Sequence, residues 1–195
     1  VIPFYKSSCK DDEVSLQNPT GLRRFWLKDK PILLLMFLMT CMYSVFSVLK
    51  HMHFGSNAWD FGNFDQMVWH YSRWEAPGCT QLGLANCLGD HFSPILALCA
   101  PLFWIYPHAE ILLVAQVVMV ALALIPLYLF SEKRLGRREA YLLAVSYVFF
   151  WGIQKVIATD LHPDVFAIPL IAFAIYFIDE KNGSGPMFAS FRFLG

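Results

Sequence analysis

Charged side chains are scarce in this sequence. Lys, Arg, Asp and Glu make up 15% of its 195 residues, where a soluble domain carries about 25%. The 15 basic and 15 acidic groups cancel, so there is no surplus of positive charge to meet nucleic acid. Also missing are a phosphate-binding loop, a GxGxxG fingerprint, an HExxH pair and a Gly-x-Ser-x-Gly elbow. Nucleotide hydrolysis and zinc proteolysis are therefore without support. The cysteines (Cys9, Cys41, Cys79, Cys87 and Cys99) form neither a CxxC nor a zinc spacing. Cys79 and Cys87 share one loop; they are a bridge if that loop is extracytoplasmic, or two free thiols. No secretory leader is visible, because the polar segment 1–30 precedes the first apolar run and no small-residue cleavage site follows it.

What the chain has in quantity is apolar side chains, 57% of the total. A helix needs about 20 of them to cross a hydrocarbon layer of ~30 Å. Four segments are predicted to do so, at 31–50, 109–130, 139–158 and 164–178, the last being short and containing Pro169. Pro31 suits the first turn of the first span, and Pro126 is placed to kink the last turn of the second. The run Pro94–Pro107 is apolar but, at 1.5 Å per residue, covers only ~21 Å; with three prolines it reads as an interfacial or re-entrant helix. The predicted fold class is all-α, a polytopic membrane protein with four transmembrane helices plus interfacial helices in a first external loop, 51–108. Val1 at the start and the uncapped segment 181–195 at the end predict a truncated reading frame.

Charge sets the predicted orientation. Arg23, Arg24, Lys28 and Lys30 precede the first span, and Lys133, Arg134, Arg137 and Arg138 lie between the second and third. Lys and Arg favour the cytoplasm, and four spans place both clusters there, with the N-terminus inside. The loop 51–108 and the link at 159–164 then share the opposite face. Three polar motifs distant in sequence, DFGNFDQ, GDHFSP and DLHPD, are thereby expected to converge.

Each motif carries a plain reading and a sharper one. In DFGNFDQMVWHYSRW the apolar residues Phe61, Phe64, Val68 and Tyr71 recur at helical spacing. This is an amphipathic helix whose Trp and Tyr suit the headgroup layer. Asp60 then caps its N-terminus, or is a catalytic carboxylate at the mouth of a cavity, and the two roles are compatible. Asp65 lies about 140° away around the helix, so the two acids are a poor chelate; pairing with Arg73 or the Trp69 N–H is expected. His91 is either a solvated loop histidine or an acid–base group, a phosphate contact or a metal ligand. Asp90 and Ser93 are candidate caps for the helix that follows. Asp160 and His162 sit at a membrane edge, where an acid is a functional candidate by default, while Asp164 is placed to cap the fourth span. Lys155 is positioned to meet an anion or to snorkel outward. No spacing demands a metal, but a divalent ion through Asp60 with Asp160 or His91 is compatible with these residues.

Four pieces in this order, WDFGNFDQMVWH, LGDHFSPILALCAPLFWIYP, IPLYLFSEKRLG and DLHPDVFAIPLIAFAIYF, resemble the DUF2079 family of predicted polytopic membrane proteins, placed among GT-C-type glycosyltransferase-like proteins. The resemblance runs over about 58–180. It implies a GT-C-like fold, with a catalytic acid just after the first span and transfer of a sugar from a polyprenyl-phosphate donor to an extracytoplasmic acceptor. It also implies a bacterial or archaeal plasma membrane and more spans than this chain holds. Asp60 occupies the position of that acid, but Phe61 follows it, so the Asp-Glu pair of lipid A and protein-mannosyl relatives is absent. The expected catalytic set is Asp60, Asp65 and His91; the expected substrate-binding set is Arg73, Lys155, Asp160 and His162. The competing expectation is a non-catalytic membrane protein or transporter fragment that binds a lipid or small anionic ligand.

Overall fold

The computed structural model describes residues 29–181, and the tail basic residues Arg23, Arg24 and Lys28 lie outside that range. Among the described residues the chain is helical, and its one β contact is an isolated bridge between Cys79 and Leu84. Helix α1 (Lys30–Met52) is an unbroken first crossing, with a proline in its first turn as the sequence predicts. Its buried positions, Ile32, Met39, Tyr43 and Ser47, are spaced to form one stripe. The remaining faces carry exposed Leu34, Phe37, Leu38, Val45, Phe46 and Leu49. Apolar side chains turned outward over a whole helix length are what a lipid solvent selects.

The loop 53–109 between the first and second crossings contains α2 (Ala58–Ser72), a single turn Cys87–Gly89, and a 3-10 segment Pro94–Cys99 that leads into α3 (Ala100–Ile105). The apolar stretch Pro94–Ile105 is too short to cross a bilayer. Phe61, Phe64, Met67 and Val68 of α2 are buried against Leu96, Cys99, Phe103, Leu112, Leu113, Leu161 and Phe166. This forms a second core beside the transmembrane one. The amphipathic stripe read from the sequence is thus the face that seats α2 on the bundle.

The second and third crossings are each interrupted. Helices α4 (Glu110–Leu122) and α5 (Leu124–Leu135) meet at Ala123. Pro126 has no N–H for the Leu122 carbonyl, so the interruption falls a turn before the proline rather than in the last turn. Helices α6 (Arg137–Phe149) and α7 (Trp151–Ala158) meet at Phe150, whose backbone is extended (φ −64°, ψ 126°). Gly152 accommodates the displaced ring, since a Cβ there would lie 2.6 Å from Phe150 Cε1. The turn between α5 and α6 rests on Gly136 at φ +105°, a conformation L-residues rarely adopt.

Among the described residues three helical stretches, Lys30–Met52, Glu110–Leu135 and Arg137–Ala158, are long and apolar enough to span a membrane. The segment expected as the fourth is a 3-10 turn, Pro163–Phe166, followed by α8 (Ala167–Lys181). It begins beside α4 and ends where Asp179 pairs with Lys133 (2.9 Å) and Arg134. At the same end Asp29 accepts from Tyr128 Oη and Arg137 Nη2, both at 3.1 Å. The basic connector is therefore bound to α1 and α8 through two buried acids.

Candidate functional site

The opposite end of the bundle carries the three polar motifs. Helix α2 starts earlier than the sequence suggests. Its N-cap is Asn57, whose Oδ1 accepts from the Trp59 N–H at 3.1 Å, so Asp60 lies in the first turn and is not the cap. There its carboxylate still meets the positive end of the helix. Asp60 lines a small cavity together with Asn63, Phe64, Met67, Cys79, Leu82, Cys87, Asp90 and His91. The cavity volume is about 10 Å³, enough for roughly one water molecule. Cys79 and Cys87 form a disulfide that makes one wall, which settles the choice between bridge and free thiols. A bridge eight residues wide fixes the loop opposite α2.

Asn63 was not singled out from the sequence, yet it is 7% exposed and its Oδ1 has no hydrogen-bond partner. A buried carbonyl oxygen without a donor costs about 1–3 kcal/mol. Its position on the cavity wall makes it an acceptor waiting for a donor there. The one signal for it is its place three residues after Asp60, one turn along the same face. His91 Nδ1 is 2.7 Å from Asp90 Oδ2, and its ring stands edge-on to Phe64 with centroids 5.8 Å apart. Asp90 thus orients the imidazole, and neither it nor Ser93 caps the following 3-10 segment through its side chain. DFGNFDQ and GDHFSP do meet.

The third motif joins them differently. Asp160 is 7% exposed; Oδ1 takes Lys50 Nζ at 3.1 Å and Oδ2 takes the Asn57 N–H at 2.5 Å. Both oxygens are engaged in tying the end of α1, the start of α2 and the end of α7 together. A metal shared by Asp60 and Asp160 is therefore not what this arrangement offers. Among the described residues no cluster of His, Cys, Asp and Glu has the geometry of a metal centre. Gln116, fully buried in α4, fastens the same link, donating to Val156 O at 3.0 Å and accepting from the His162 N–H at 3.1 Å. His162 is exposed with Nδ1 2.8 Å from Asp160 O. Asp164 makes no cap; the residue before the 3-10 turn is His162, without a side-chain cap bond.

Asp65 sits apart from the cavity. It pairs with neither Arg73 nor the Trp69 N–H, and its Oδ1 is buried without a partner. Arg73 lies instead over the Trp69 ring, 3.9 Å from the centroid. Burial raises the Asp65 pKa above its ordinary value; Glu110 adds to the rise, while His51 and His108 oppose it. Lys155 stands in a groove between α1 and α7 and lines no part of the Asp60 cavity.

No curated protein and no solved structure matches the chain. A family model described as predicted membrane protein, DUF2079, matches residues 50–195. That match takes in the end of α1, the loop after it and every later helix among the described residues, and it agrees with the three apolar crossings, so this chain is an integral membrane protein of the DUF2079 family.

Proposed function

We propose that this protein transfers a glycosyl group from a polyprenyl-phosphate donor to a hydroxyl acceptor at the face bearing α2, with the N-terminus cytoplasmic and α8 as a fourth crossing in a GT-C-like arrangement. The observation that carries the proposal is the cavity lined by Asp60, Asp90 and His91 together with Asn63, whose side-chain oxygen has no partner. Asp60 accepts the proton of the acceptor hydroxyl as that oxygen bonds to the anomeric carbon. The bond from that carbon to the phosphate oxygen breaks, and the lipid phosphate leaves with the electron pair. His91, oriented by Asp90, and Asn63 position the acceptor. His162, held against Asp160 O, orients the donor; Arg73 stands thirteen residues along α2 from Asp60, about 20 Å, and over Trp69, too far to offset the phosphate charge there. Asp65 is the second acid of the region and keeps a supporting role.

The size of the cavity favours a second reading. At about 10 Å³ it admits no sugar as it stands, and the second reading is a protein that binds a lipid or a small anionic ligand elsewhere on its surface without reacting. The full-length protein reconstituted with polyprenyl-phosphate sugars separates the two. Release of lipid phosphate that Asp60→Asn abolishes, with insertion retained, supports transfer. No release from any such donor leaves the binding reading standing.

A further inference from the structure

The groove between α1 and α7 has a volume of about 330 Å³ and is lined by Tyr43, Phe46, Trp151, Gln154, Lys155 and Ala158. Phe46 and Trp151 are exposed along it, and Tyr43 closes its floor, its hydroxyl donating to Val148 O at 2.8 Å. The Lys155 side chain is exposed and, among the described residues, makes no ion pair or hydrogen bond. The acid nearest in sequence, Asp160, is held by Lys50 and Asn57, so no internal carboxylate competes for the ammonium. Lys155 lies three residues before the end of α7, about 4.5 Å along the axis. That depth is where a lysine stem crosses the last apolar layer and its charge reaches the headgroups.

We propose that this groove is a site for one anionic phospholipid, its phosphate on Lys155 and the Gln154 amide, and the top of one acyl chain between Phe46 and Trp151. The volume falls at the low end of ligand pockets, about 300–1,000 Å³, which fits a headgroup and the first part of a chain rather than a whole lipid. A net negative charge distinguishes this occupant from zwitterionic neighbours, because the groove holds one cation and no acid. The site shares no lining residue with the Asp60 cavity and does not depend on sugar transfer.

The test uses the full-length protein in phosphatidylcholine vesicles containing a minor fraction of brominated phosphatidylglycerol, with brominated phosphatidylcholine as the comparison. Tryptophan quenching is read with and without Trp151→Phe to isolate that reporter. The expected result is about fivefold stronger occupancy by phosphatidylglycerol, lost in Lys155→Gln and retained in Lys155→Arg. Ala158→Phe, which fills the groove without touching the charge, should abolish it too, and serves if Lys155→Gln does not fold. Equal quenching by the two lipids, or a preference that survives both Lys155→Gln and Ala158→Phe, overturns the proposal. Displacement of the brominated lipid by excess inorganic phosphate would overturn it in favour of a soluble anion.

Discussion

At the scale of single residues, Trp74 occupies a backbone position that disfavours a side chain, and Asp65 a burial that disfavours a charge. Trp74 ends α2 in the left-handed region at φ +62°, with Trp74 N donating to Tyr71 O and Glu75 N to His70 O. This is the helix-ending arrangement that normally takes glycine. The indole is 87% exposed and lies 6.2 Å from Trp104, so its value is at the surface. Trp74→Gly should relieve strain of about 1 kcal/mol and raise the melting temperature in detergent while weakening attachment of the loop that carries α2 to lipid vesicles. Asp65 gives the second prediction. Its folded-state pKa lies above the ordinary value of 3.8, from burial first and Glu110 second. A raised folded pKa means that protonation favours the folded state. The benefit is complete below pH 3.8 and disappears as pH rises through the folded midpoint. Asp65→Asn should therefore be more stable than the native protein at pH 7 and about equal to it near pH 3.8, as read from thermal melts at the two values. The sequence showed this acid but not its isolation, because which side of α2 faces α4 depends on packing and not on helical period.

At the scale of elements, the spans were legible from length and hydropathy, and their interruptions were only partly so. Pro126 announced the first one. The second, at Phe150, left no proline signal; it depends on the Phe150 ring lying over Gly152 two residues on, a local contact that hydropathy does not report. The α5–α6 turn is the most exacting joint. Gly136 at φ +105° has Glu139 Oε2 3.0 Å from where a Cβ would stand. Gly136→Ala should cost about 2 kcal/mol, seen as a lowered midpoint of unfolding with the helix content unchanged at low temperature. The Asp160 junction holds three elements at once. Asp160→Ala leaves the Lys50 ammonium and the Asn57 N–H without their shared acceptor. Since Lys50 is 27% exposed, the loss should stay near ~2 kcal/mol, below that of a fully buried pair. The double variant with Lys50→Ala should lose less than the sum of the two single changes, a coupling that a double-mutant cycle measures directly.

At the scale of the whole molecule, the arrangement follows from which segments share an end of the bundle. The sequence brought DFGNFDQ, GDHFSP and DLHPD to one side by charge counting alone, and in the fold the first two line a common cavity while the third braces it. What the sequence did not disclose is that division of labour. Asp160 looked like a ligand because acids at a membrane edge are costly, but the cost is met internally by Lys50 and a backbone N–H. Asn63 drew no reading from the sequence and is the unsatisfied wall of the cavity. The basic connector and the polar loop sit at opposite ends, each anchored by its own buried acids. The claim on which the functional reading rests is that the loop end faces outward and the connector faces the cytosol. Single cysteines at Phe92 and Leu135, both exposed, test it in intact cells with a membrane-impermeant maleimide, in a background lacking the native unpaired cysteines. The account predicts labelling at position 92 and none at position 135 until the membrane is opened; labelling at 135 with protection at 92 would contradict it.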